Sequence, residues 1–323
     1  MHVRLALPLF ALATLAVAPV RAQTMADARS CERAITGSAV DRAAMQKLYA
    51  SGRTTPAGHF AAGCADVLAS RWDSAAAHFD AAAKGNPSSS AAFLWIGNIA
   101  GQRARMAPLA ARLKLAPMIR DAYAKAIELD GTNIDAREGL MQFQLEAPST
   151  IGGDKAKAAE QALAIGRLVP YRGLAAEIAV ATAARNQPAA ERLLLRATTQ
   201  FPDSVLGWAN LSAMQADGQR APDAFATVTR WQARGTNRMF ALFALGRTAA
   251  VTGQQRERGE QALRQYLRGQ RSPSDPPFAN AHHRLGMIFE RAGRKDDARV
   301  EFQAALRLSP QMRDAQFALD RLK

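Results

Sequence analysis

One spacing recurs at two distant places in this 323-residue chain. Gly63, Ala75, Phe79, Ala82 and Pro87 stand at the same offsets as Gly286, Ala298, Phe302, Ala305 and Pro310. No other feature constrains the fold as strongly, because self-similarity at fixed offsets marks units that bury their apolar faces on one another. A third copy runs Trp208, Leu211, Ser212, Ala224, Val228 and Trp231. Looser copies are Phe93, Ile96 and Gly97 with Tyr123 and Ala126; Leu242, Leu245 and Gly246 with Ala262 and Tyr266; and Ala190, Leu194, Ala197 and Pro202. Composition agrees with helices: alanine is abundant, Val, Ile and Thr are sparse and aromatics make up 7 %.

These residues closely resemble the tetratricopeptide repeat, a 34-residue helix–turn–helix unit. Glycine on the first helix and alanine on the second let the two helices approach; the aromatic fills the gap to the next unit, and proline stops the second helix. The resemblance covers about residues 56–322 and implies an all-α, right-handed α-solenoid of about seven helix pairs. Extra residues are expected between the two helices of repeats 2, 3 and 6, near 103–117, 147–154 and 252–258. Repeat 4, about 171–204, has Glu177-Ile178 where Leu-Gly belongs. Residues 23–55 read as an N-terminal helical cap. The last helix, Gln311 to Lys323, reads as a C-terminal cap that turns Phe317 and Leu322 onto the stack. Ser272–Pro277 is read as a long inter-repeat loop, not a hinge.

The N-terminus predicts export. Arg4 precedes an uncharged run from Leu5 to Val20, and Val20 and Ala22 suit cleavage after Ala22; that is the pattern of a signal peptide over residues 1–22. The run is shorter than the roughly 20 residues that span a bilayer, so no membrane span is expected after cleavage and the location predicted is periplasmic or secreted. In an oxidising compartment Cys31 and Cys64, the only two cysteines, are a disulfide candidate. The net charge of +14 is carried mostly by scattered arginines. Such scatter predicts weak contact with an anionic envelope surface and argues against a nucleic-acid partner, which would need a basic stripe with interleaved aromatics.

No catalytic pattern emerges, and neither a cofactor nor a metal is expected. Ile151-Gly152-Gly153-Asp154-Lys155 lacks the frame of a phosphate loop, so it reads as a turn with Asp154 capping the next helix. His282 and His283 are adjacent and diverge by about 100° on a helix, and His78 has no ligand partner three or four residues away, so no metal site is expected; packing accounts for His59 and His282, which share one repeat position. The resemblance implies a concave face built from first helices. Phe240, Phe243 and Arg247 are its best anchor cluster, because aromatics and arginine dominate binding hot spots; Phe60, Leu94, Asn98, His283 and Arg291 join them. The lysine–asparagine–arginine set with which some family members clamp a terminal carboxylate is absent. The insert Met106 to Pro117 puts Leu109, Leu113 and Ala116 on one helical face beside Arg112 and Lys114, fit for a membrane surface or partner helix, although extension of the repeat's own helix pair is the more ordinary explanation. The function expected is a non-enzymatic scaffold of the cell envelope holding a partner protein or peptide on that concave face. The alternative is a structural subunit of an envelope assembly that associates through convex or end surfaces.

Overall fold

The computed structural model describes residues 31–35, 37–51 and 54–322, and these are helical with no strand among them. The signal peptide expected over residues 1–22 lies outside the described residues. The chain divides into two compact units, at Leu168/Val169. That division does not fall at 272–277. There Ser272 donates its N–H to Asp275 at 2.8 Å and Arg271 Nη1 donates to the Asp275 carbonyl at 2.7 Å, so the segment is a tied loop between two packed helices.

Unit 1 begins with a short helix at 31–35 and α1 (Ala39–Ser51), followed by three antiparallel pairs. These are α2 (Pro56–Leu68) with α3 (Trp72–Gly85), α4 (Ser90–Met106) with α5 (Leu109–Leu129), and α6 (Ile134–Glu146) with α7 (Lys155–Leu168). Unit 2 holds four pairs and a final helix. They are α8 (Pro170–Ala183) with α9 (Gln187–Gln200), α10 (Val205–Asp217) with α11 (Ala221–Arg234), α12 (Arg238–Thr252) with α13 (Arg256–Arg268), α14 (Phe278–Arg291) with α15 (Lys295–Leu308), and then α16 (Arg313–Arg321). The fold is an all-α solenoid of stacked helix pairs. First helices start on residues that satisfy their orphan N–H groups: Thr55, Ser89, Asn133 and Ser204 each accept from a backbone amide two or three residues on.

Small residues set the spacing within pairs. A Cβ at Gly63 would sit 2.8 Å from the Phe79 ring, at Gly286 2.6 Å from Phe302, and at Gly246 2.2 Å from Leu263. Tyr123 is lodged against two first helices at once, since a Cβ at Gly97 or Gly139 would lie 2.7 or 2.4 Å from its ring. The unit 1 core joins Phe60, Phe79, Trp95 and Tyr123. In unit 2 the core carries Trp231, Phe243, Tyr266, Phe289 and Phe302, with a smaller cluster at Leu174, Leu194 and Leu211. Cys31 and Cys64 are bonded and buried, with Cα atoms 5.6 Å apart, which ties the segment before α1 to α2.

Three local expectations are corrected. Phe317 does not cover the stack; it is 63 % exposed, and α16 packs through Ala315, Ala318 and Leu322 instead. Alanines allow that helix to lie closer than phenylalanine would. Ala116 does not share an open face with Leu109 and Leu113 but turns into the core. No insertion separates the helices of repeat 6, because α12 runs to Thr252 and a turn at Gly253, in the left-handed region at φ 74°, leads directly into α13. The extra residues of repeat 2 lengthen α4 and α5. Those of repeat 3 form a 3-10 turn at Ser149–Ile151, and there Asp154 accepts from the amides of Ala156 and Lys157 at 2.9 and 3.1 Å, capping α7.

Candidate functional site

Within unit 2 the first helices α10, α12 and α14 lie side by side, with α16 packed beyond α15. Their neighbouring surfaces carry the residues the sequence singled out, but several of those side chains point into the stack. Phe243 and His283 are buried, each 8 % exposed. Phe240 is partly buried between Trp231 and Phe243, with ring centroids 5.8 and 6.5 Å away. The aromatic chain continues from Phe243 to Tyr266 and Phe278. The Phe240–Phe243 pair is therefore part of the core that joins successive helix pairs, and only an edge of Phe240 is open. In unit 1 Phe60 and Leu94 are core residues, and Asn98 accepts the Tyr123 hydroxyl proton at 2.8 Å. Burial pushes the Tyr123 phenol up to about 12, so it stays a donor to Asn98. Arg291 is exposed at the end of α14, its guanidinium reaching over Gly253.

Arg247 is the member of the expected cluster that keeps an accessible polar head. Its Nη2 pairs with both Asp217 oxygens at 3.0 and 2.8 Å, joining α12 to α10. Its Nη1 is buried without a hydrogen-bond partner. Arg284, one residue past His283, was not selected from the sequence, and it shares this electrostatic neighbourhood. Burial pushes the Arg284 guanidinium below its ordinary value, Arg247 pushes it further, and Asp217 and Asp314 oppose the shift. Its one polar contact is Nη1 to the Met287 thioether sulfur at 3.2 Å; among the described residues no carboxylate lies within ion-pairing distance of it. Arg284 is a partly buried cation without a carboxylate partner, and a second cation, Arg247, stands on the neighbouring first helix, so an anion brought to Arg284 gains a charge-assisted hydrogen bond. Glu290, paired with Arg321 at 3.1 Å, links α14 to α16 nearby. His283 is held neutral: burial chiefly, then the Arg284 charge, push it down to about 4. The signal that could have found Arg284 is its neighbour: a charged residue beside a groove position on a helix that packs through its other faces.

Contacts between the two helices of a pair answer the histidine question differently at each end. His282 Nδ1 meets Glu301 Oε2 at 2.6 Å. At the same nineteen-residue separation, His59 Nδ1 faces His78 Nδ1 at 3.1 Å, and His78 Nε2 lies 3.8 Å from Asp66. Asp66, buried in α2, accepts from Arg71 at 2.8 Å and from the Ser74 hydroxyl, closing the turn into α3. Sequence spacing within one helix could not show this network, because its members meet across two. Among the described residues no group of three or more His, Cys, Asp or Glu is placed to hold a metal ion, and no helix is long and apolar enough to cross a membrane.

Residues 279–312, which run from the second residue of α14 through α15 to the turn before α16, match the family model of the tetratricopeptide repeat. A tetratricopeptide repeat protein from Parabacteroides merdae ATCC 43184 is similar in structure, with 14 % identity, a TM-score of 0.54, and 80 % of this chain and 95 % of that one covered. Yeast Tom70 is similar with 12 % identity and a TM-score of 0.60, over 98 % of this chain and 66 % of that one. No curated protein matches the chain in sequence. One repeat of the chain therefore matches the family model, and the likeness to these two structures shows the shared helical fold.

Proposed function

We propose that the chain is a non-enzymatic interaction module that holds an acidic segment of a partner protein on the first-helix face of unit 2. Tetratricopeptide repeats generally mediate protein–protein interaction, and that supports the broad reading. The observation that carries the specific one is Arg284, a partly buried guanidinium whose one polar contact is the Met287 sulfur and which feels the charge of Arg247 on the neighbouring helix. Arginine suits the task because its planar fork grips a carboxylate through two hydrogen bonds. Met287, half-buried beside Arg284, supplies apolar contact next to the charged point. The buried Cys31–Cys64 bridge and the leader-like N-terminus favour an oxidising compartment outside the cytoplasm as the place of action.

Fluorescence anisotropy with a pool of glutamate-containing peptides, against the same pool with glutamine, tests the reading. The acidic pool binds more tightly, Arg284→Ala weakens it about tenfold or more, as expected for a buried charge-assisted pair, and Arg307→Ala on the far helix α15 leaves it unchanged. Equal binding of the two pools, or equal loss with Arg307→Ala, would overturn it.

A further inference from the structure

We propose that the free end of the α4–α5 hairpin docks on the surface of an anionic lipid bilayer. In unit 1 the other paired helices are 13 or 14 residues long, whereas α4 has 17 and α5 has 21. At about 1.5 Å per residue the surplus is on the order of one to two turns, and it is concentrated where α4 ends and α5 begins. The extended end is apolar and open: Met106 is 60 % exposed, Leu109 71 %, Leu113 46 % and Met118 45 %. Leu109 and Leu113, one turn apart, point the same way, and Met106 stands across the short connection from them.

Cations ring this tip without anions to match. Between Gln102 and Ile119 there is no Asp or Glu, while Arg103, Arg105, Arg112 and Lys114 are all present. Arg103 is engaged by Asp73 at 3.1 Å. Arg112 spends its Nε on the Ala107 carbonyl at 2.8 Å, and Arg105 bonds Gln102. Among the described residues, Arg105, Arg112 and Lys114 form no ion pair. Exposed leucine and methionine at the end of a projecting hairpin, with arginine and lysine beside them, match what an interfacial element needs. The apolar side chains enter the acyl boundary, and the cations meet lipid phosphates and raise affinity for anionic headgroups. A protein partner would need a hollow shaped to this projection and on the order of 1,000 Å² of contact, a demand that a bilayer does not make. Ala116 and Ile119, further along α5, are buried, so the hairpin is anchored in the core while its end stays free.

The test is co-sedimentation of the chain from Gln23 onward, which keeps every described residue, with vesicles of phosphatidylcholine alone or mixed with phosphatidylglycerol. Binding is expected to the anionic vesicles only and to weaken as salt rises. Leu109→Asp with Leu113→Asp, and separately Arg112→Glu with Lys114→Glu, each lower the partition coefficient about tenfold or more while the circular dichroism and melting temperature stay as in the parent. Phe317→Asp, which alters an exposed aromatic on α16, leaves binding unchanged. A fluorophore on Leu109→Cys shifts to the blue when anionic vesicles are added. The proposal is overturned if the parent ignores anionic vesicles, if the tip variants bind as the parent does, or if Phe317→Asp weakens binding as much as they do.

Discussion

Gly63 against Phe79 and Gly286 against Phe302 show how single residues set the pitch of this molecule. In each pair the aromatic lies sixteen positions after the glycine, and any Cβ would displace its ring. Gly97 meets Tyr123 in the same way at a greater separation, because the lengthened hairpin intervenes. Gly246 is the most crowded of the set. Gly246→Ala is expected to cost about 1–3 kcal/mol through overpacking against Leu263, read as a lowered denaturant midpoint with helix content retained. His283 carries a second expectation at this scale. Its pKa of about 4 in the folded state lies below the ordinary 6.5, so between those values the unfolded chain takes up a proton that the folded chain refuses. Stability from this group is intact above about pH 6.5 and falls toward pH 4, by on the order of 3 kcal/mol. Urea titrations at pH 7 and pH 4.5 should show the parent losing more stability than His283→Gln; an equal loss would mean that the imidazole is not held neutral. The glycines and their aromatics were legible in the sequence, since close approach leaves a size pattern. The orphaned Arg247 Nη1 and the isolation of Arg284 were not, because they depend on which carboxylates from other helices fail to reach them.

At the scale of elements, the helix boundaries follow the caps and prolines closely, whereas which face of an element is buried was legible only where that face was unambiguous. Repeat 7 has its aromatics at positions that can pack in one way only. The short α16 offers two faces, and the stack took the one with Ala315 and Ala318, leaving Phe317 in water. The insert of repeat 2 was readable as an extension of the repeat's own helix pair, and α4 and α5 are lengthened in that way. The Cys31–Cys64 bridge closes a separation of 33 residues. Its removal should cost roughly 3 kcal/mol in the chain-entropy model. Reduction is then expected to release the segment around α1 to limited proteolysis before the helix pairs of either unit are cut; simultaneous cleavage throughout would show that the bridge holds more than that segment.

At the scale of the whole molecule, two compact units meet in sequence at Leu168/Val169, each with its own core. The turn-rich Ser272–Pro277 was legible in the sequence as a loop within the stack, which the tied turn there bears out, whereas the division at Leu168/Val169 left no sign in it. What the stack offers is surface, and one part of it stands out: the first-helix face of unit 2, where Arg247 is paired with Asp217 and Arg284, among the described residues, has no carboxylate partner. The most direct measurement is an NMR titration of arginine side-chain Nε–Hε signals with a glutamate-containing peptide. The account predicts that Arg247 and Arg284 shift together and saturate while Arg307 stays fixed. Shifts spread evenly over the exposed arginines, with Arg284 unmoved, would contradict it.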